Sequence, residues 1–554
     1  MIKWILKPLL FVFAMLSVSW AQVSDEKFEH WPVDLKINGK VVVAGALKDV
    51  QVLRTLVRAS DRKKKTAVVM ASTADETKTA FKELFAESAE LQFHNSPETS
   101  KEIETLLRQN DVVVFHSAKP LSKKLANDII LTKSAFHEFL GSGKLIIALG
   151  GAAEIVSQSY FGSNDTPSSE REGLNLLPNC LLKTDFNGAA DQKQLLSALT
   201  EKKHSVGIGL NKQTALILSG RKMRVAGPGK ATFILKGNER EKARVHSISA
   251  PSQRSRNPEN ILLDLTQWRL DAIGRALPQF PAKEPREPIV KNGTLIIVGG
   301  GGSPRGMTSE FIQLAGGVKN AKLVYIPCSE SEDVGDRHGL VQRWKRAGVK
   351  HATFTHTKDR NQANSDEDFL SDEDFLKPLR EATGIYFGGG RQWNFSDSYY
   401  GTEAHKLMKK VLERGGVIAG SSAGASIQGR YLARATPIGN SKIRAFGYER
   451  GGLGFLDGVA IDQHFSQRNR FRDMTGLMKR YPQLLGIGID EATAIVVQKS
   501  KAEVIGRGEV HFYDHTEQVP EGKLDYVSLS AGSTYDLAKR RVLKNSIKKS
   551  PDER

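Results

Sequence analysis

The sequence is poor in cysteine: its 554 residues hold two, Cys180 and Cys328. That excludes a disulfide-built scaffold, and neither thiol has His or Cys neighbours at the spacing of a zinc site. Both lie in apolar surroundings, "LLPNCLL" and "LVYIPCS", which predicts buried free thiols. Acidic residues are also in deficit, 62 against 80 Lys and Arg, which leaves a formal net charge of +18. The surplus is scattered apart from short clusters such as Arg62-Lys63-Lys64-Lys65. There is no basic stripe interleaved with aromatics, so the expectation is a solvated basic surface and no nucleic-acid partner. After the N-terminus no apolar run reaches membrane-spanning length, so no stable membrane insertion is expected.

What is present begins with an export signal. Lys3 and Lys7 precede the apolar run from Leu9 to Ala21, and Ser19-Trp20-Ala21 has the small-residue form of a cleavage site. Residues 1–21 therefore read as a signal peptide, and the mature chain as periplasmic or extracellular. The length exceeds what one core accommodates, so two or more domains are predicted.

The chain contains itself twice. "GKVVVAGALKD" from Gly39 matches "GTLIIVGGGGS" from Gly293, and "DVVVFHSAKP" from Asp111 matches "TGIYFGGGRQ" from Thr383. "GKLIIALGGAAEI" from Gly143 matches "GGVIAGSSAGASI" from Gly415. "LLPNCLLKTDF" from Leu176 matches "FLDGVAIDQHF" from Phe455, and "VGIGLNKQTALIL" from Val206 matches "LGIGIDEATAIVV" from Leu485. Matching blocks in the same order predict a tandem duplication. The first copy is placed at 22–276 and the second at 293–554. The Pro-rich 277–292 between them reads as a linker. In each copy continuous apolar runs ending in Gly, Ser or Pro alternate with helix-length amphipathic segments. This predicts an α/β fold: two tandem doubly wound, mostly parallel sheets, with sites at the carboxyl ends of strands.

The second copy carries the candidate chemistry. Gly420-Ser421-Ser422-Ala423-Gly424 fits G-x-S-x-G, in which small neighbours let a strained serine sit between strand and helix. His464 follows the apolar Val459-Ala460-Ile461, and Asp490-Glu491 lies between apolar runs, where a carboxylate needs a partner such as an imidazole. Arg468 and Arg470 are guanidinium groups suited to a carboxylate. The repeat serves as an internal control. In register, Ser422 is replaced by Gly150, His464 by Asp185 and Glu491 by Lys212. Joint loss is expected of groups that act as a unit, and it makes the first copy non-catalytic.

"GGGGSPRG", "YIPCSES", "YFGGGRQ", "AGSSAGASI", "DQHFSQR" and "GIGIDEATA" together resemble cyanophycinase and its relative dipeptidase E. These are serine peptidases on a flavodoxin-like, class I glutamine-amidotransferase-like fold, and the likeness is closest to the cyanophycinase branch. The resemblance implies Ser422 as nucleophile, His464 as base and Glu491 as its partner. It implies backbone N–H groups of Ala423, Gly389 and Gly390 as oxyanion donors, and Gln392, Asp462, Gln463, Arg468 and Arg470 as substrate-binding residues. A cyanophycin-like or β-aspartyl peptide is the implied substrate, with no metal or organic cofactor; a homodimer is left open. The family places a further Arg where this chain has Asp473. Two rivals stand beside this reading: a small-molecule esterase or amidase, and a binding protein that keeps the fold without chemistry.

Overall fold

The computed structural model describes residues 38–45, 65–70, 75–86, 90–95, 99–117, 121–161, 170–250, 263–334, 339–364, 375–434, 436, 443 and 448–546. The expected signal peptide, at 1–21, lies outside them. Among the described residues no helix is long and apolar enough to cross a membrane.

In the second half, five parallel strands lie in the order His351–Phe354, Lys322–Ile326, Gly384–Phe387, Val417–Ser421 and Val290–Val298. Antiparallel strands extend this sheet beyond Val290–Val298, starting with Thr493–Lys499. The central strand is apolar at every position from Leu295 to Val298, because both its faces are covered. Leu295 and Ile297 join one core with the helix Glu403–Glu413, while Ile296 and Val298 join another with the helix Met307–Leu314. A second sheet runs Gly429–Tyr431, Leu456–Gln463, Leu485–Ile489, Glu509–Asp514, Tyr526–Ser530, its first three strands parallel.

The first half repeats this order. Its larger sheet runs Glu90–Asn95, Lys65–Met70, Val112–Ser117, Leu145–Gly150, Lys40–Ala44, Ala215–Ser219, Lys222–Ala226. Its smaller sheet runs Ser157–Phe161, Leu177–Lys183, Val206–Leu210, Lys230–Leu235, Arg244–Ser249. Alternation of Val41 and Val43 against Val42 and Ala44 again divides two cores. The α/β class predicted from the pattern is the one observed. One boundary differs from the composition reading. The Pro-rich segment ends before 292, because Val290 already pairs with Lys499 at the start of the central strand.

Cys180 and Cys328 are both free and buried. Desolvation pushes each thiol up to about 12.

Candidate active site

Five chain segments converge at the carboxyl ends of the parallel strands, where open α/β sheets bind ligands. Ser422 follows Val417–Ser421, Gly389 follows Gly384–Phe387 and Gly300 follows Val290–Val298. From the second sheet, His464 follows Leu456–Gln463 and Glu491 follows Leu485–Ile489.

The turn at Ser422 is strained. Its φ of 57° and ψ of −111° lie where a side chain is disfavoured. The chain reverses there so tightly that a Cβ on Gly424 would meet the Phe387 carbonyl oxygen at 2.1 Å, so only glycine fits. The two adjacent serines part company. The Ser421 side chain bonds Tyr386, whereas Ser422 Oγ lies 2.9 Å from His464 Nε2. On the ring's other side His464 Nδ1 lies 2.6 Å from Glu491 Oε1. With the ring proton on Nδ1, His464 donates to Glu491 and accepts the Ser422 hydroxyl. His464 is itself in the left-handed region, at φ 49°. Burial lowers its pKa below the ordinary 6.5, opposed by the Glu491 bond and aided by the charge of Arg468. The ring is thus neutral at pH 7 and can take a proton.

Ala423 opens the helix Ala423–Ser426, so its N–H has no acceptor within that helix. Gly389 and Gly390 are exposed, and a Cβ on Gly389 would stand 3.5 Å from that of Ser422. Behind them Cys328 Sγ donates to the Arg391 carbonyl at 3.0 Å, and a Cβ on Gly390 would meet Cys328 at 3.0 Å.

The remaining candidates separate into two groups. Arg468 is exposed on the turn Ser466–Arg468, close enough to His464 to influence it. The others are buried and occupied with one another. Asp462 is wholly enclosed and bridges Arg434, at 2.9 Å, and Arg470, at 2.5 Å. Arg470 also donates to the backbone oxygen of Gln463 at 2.7 Å and to its side-chain oxygen at 3.3 Å. Gln392 is 2 % exposed and donates to the Arg434 carbonyl at 2.5 Å. Asp473 accepts from Arg434 at 2.8 Å. The centre of this cluster is Arg434, which no motif singles out, because its partners lie 28 and 39 residues away.

Gly300 and Gly301 were also not legible as site residues. A Cβ on Gly300 would meet the His464 ring at 2.4 Å, and one on Gly301 would meet Glu491 at 2.3 Å. A signal existed: in register, the first copy has Ala46 and Leu47 at these positions. The backbone itself is retained in both halves. Gly150 and Ser422 have φ of 61° and 57°, Asp185 and His464 both have 49°, and Gln213 and Ala492 have 59° and 51°.

The arrangement supports nucleophilic acyl transfer: an activated hydroxyl, a neutral imidazole, a carboxylate to orient it and N–H groups beside the hydroxyl. The sequence comparisons agree with that class. The profile of Peptidase family S51 matches residues 285–505. A cyanophycinase of Geminocystis herdmanii is 31% identical over 227 residues, covering 40% of this chain and 80% of that protein. One of Trichormus variabilis is 28% identical over 251 residues, covering 44% and 80%. Among solved structures, a peptidase from an acI-B1 actinobacterium is 22% identical and covers 44% of this chain and 97% of its own, with a TM-score of 0.32. The chain belongs to peptidase family S51 and is a serine-type peptidase.

Proposed function

We propose that this chain is an exported peptidase of cyanophycinase type, which hydrolyses acidic or β-aspartyl peptide bonds through Ser422, His464 and Glu491. The observation that carries the reading is the pair of bonds at 2.9 and 2.6 Å linking the three side chains at the strand ends. Relatives named cyanophycinases support the substrate class.

In this reading His464 takes the Ser422 proton as Oγ attacks the scissile carbonyl. Glu491 holds the tautomer and stabilises the imidazolium. The N–H groups of Ala423 and of Gly389 or Gly390 receive the developing oxyanion, each donor being worth ~3 kcal/mol. His464 returns the proton to the leaving amine, and water then releases the acyl group from Ser422 by the same route. Arg468 is the group on the open side of His464 that meets a substrate carboxylate. Asp462, Gln463, Arg470 and Gln392 act behind it, by fixing the segment on which His464 and Arg468 stand. The first half, without serine, histidine or glutamate in register, is read as silent.

The test is a hydrolysis screen of the exported chain on cyanophycin, β-aspartyl dipeptides, their α-linked isomers and neutral esters, with Ser422→Ala in parallel. Cleavage of the β-linked or acidic set, lost in Ser422→Ala, is expected. Cleavage of neutral esters alone would replace the substrate assignment.

A further inference from the structure

A second Ser–His–Asp constellation lies directly behind the first. Asp490, next to Glu491, accepts from Ser466 N at 3.0 Å and from Ser466 Oγ at 2.5 Å, and its other oxygen accepts from Glu509 N at 3.1 Å. His511 Nε2 is 3.2 Å from Ser466 Oγ and 3.5 Å from Asp490 Oδ1, and its Nδ1 is 2.7 Å from Ser528 Oγ. Asp490 and His511 are 6 % and 3 % exposed. The carboxylate and imidazole of this cluster are enclosed. The cluster grips the backbone that carries His464, since Ser466 begins the turn that follows it. Phe465, between the two, packs on the His511 ring at 5.3 Å and donates its N–H to Ile489. Burial works against the Asp490 charge, yet the bonds from His511 and Ser466 bring its pKa down to about 2.

The first half shows which part of this is scaffold. Asn211 occupies the Asp490 register. Its Oδ1 accepts from Lys230 N at 3.2 Å, as Asp490 does from Glu509, and its amide ties the Phe186 carbonyl at 2.7 Å. Strand pairing sets Thr232 opposite Gly209 as it sets His511 opposite Gly488, and Thr232 bonds Ser247 at 2.8 Å as His511 bonds Ser528. The tie to the facing strand and the φ of 49° survive with Asn211, while the N–H of Asn187, in the Ser466 register, is taken by the Asp191 carboxylate at 2.7 Å. The turn therefore forms without a carboxylate at the Asp490 register or an imidazole at the His511 register. Both occur only in the half that also carries Ser422, His464 and Glu491.

We infer that Asp490 and His511 are positioning residues for catalysis: through Ser466 and Phe465 they hold the strained His464 turn, so that Nε2 stays on Ser422 while the ring gains and loses its proton. This rests on the Ser422–His464–Glu491 reading. A misplacement of the base by a fraction of an ångström slows the chemical step without weakening encounter with the ligand.

The experiment installs the first half's own residues in the full chain, Asp490→Asn and His511→Thr, and follows reaction with a fluorophosphonate. The expected result is a fall in the inactivation rate constant of about tenfold or more in each, with the half-saturating probe concentration unchanged within about twofold. The thermal transition should stay within about 4 °C of wild type. A wild-type rate constant in either variant, a matching loss of probe affinity, or loss of the folded transition in Asp490→Asn would overturn the inference. If the wild-type chain takes no label at Ser422, the active-site reading fails and this inference with it. If it labels at Ser422 and the variants label as fast, only this inference fails.

Discussion

Replacing Gly300 by alanine tests the site through a residue that takes no part in the chemistry. The added Cβ would stand 2.4 Å from Cε1 and 2.5 Å from Nε2 of His464, where ordinary contact begins at 3.4 Å. The ring must therefore retreat by about 1 Å, the difference between those distances, and Nε2 is the atom that meets Ser422 at 2.9 Å. A displacement of that size in a reacting geometry costs on the order of 10² in rate. Gly300 also has a φ of 100°, and forcing an L-residue there adds ~1–3 kcal/mol of strain. At ~2–4 °C per kcal/mol, the expected loss in Tm is roughly 2–12 °C. The assay pairs a thermal melt with the rate of fluorophosphonate labelling or of peptide cleavage at a temperature where both proteins are folded. A folded variant working within about threefold of wild type would refute the argument that this glycine exists to admit the imidazole.

The pH dependence follows from the lowered pKa of His464. Its base form is the active one, so kcat/KM should rise through an inflection below the ordinary histidine value of 6.5. Glu491 raises that pKa, so Glu491→Gln should move the inflection lower still while reducing the plateau; an inflection above 6.5 would contradict the assignment. Arg470→Ala removes a buried partner of Asp462 and should cost ~3–5 kcal/mol of stability, whereas Arg468→Ala, on the exposed turn, should change stability by less than ~0.5 kcal/mol and raise KM for carboxylate-bearing substrates. Denaturant melts and kinetics on the two variants separate these outcomes, and equal stability losses would reject the division. Native protein should resist iodoacetamide and keep its activity, both thiols being buried and pushed up to about 12, while unfolded protein should titrate two.

Local pattern carried much of this to the sequence level. Runs such as "TLIIVGG" and "GGVIAGS" announce strands buried on both faces and ending at glycine, and the small residues around Ser422 announce the strained turn. The matching blocks of sequence added a comparison within one chain, which isolated Ser422, His464 and Glu491 as residues absent together from the first half. What escaped was contact between distant segments. Spacing alone sends Arg468 and Arg470 to different azimuths of a helix without saying which reaches the site; the left-handed Asn469 between them, at φ 49°, leaves Arg468 outward and Arg470 in the Asp462 pocket. Arg434 and His511 reach their partners only after two strands pair, and no local periodicity records that. Gly300 reads as one of a run of glycines until the structure brings it against an imidazole.

The most direct test of the central claim is to map by mass spectrometry where a fluorophosphonate attaches to the full chain, with Ser422→Ala as the paired sample. The account predicts one adduct, on Ser422, none on Ser421, none in the first half, and no labelling of Ser422→Ala together with a loss of hydrolysis on the order of 10⁴ or more. An adduct on any other serine, or a Ser422→Ala protein that keeps more than about a tenth of wild-type hydrolysis, would contradict it.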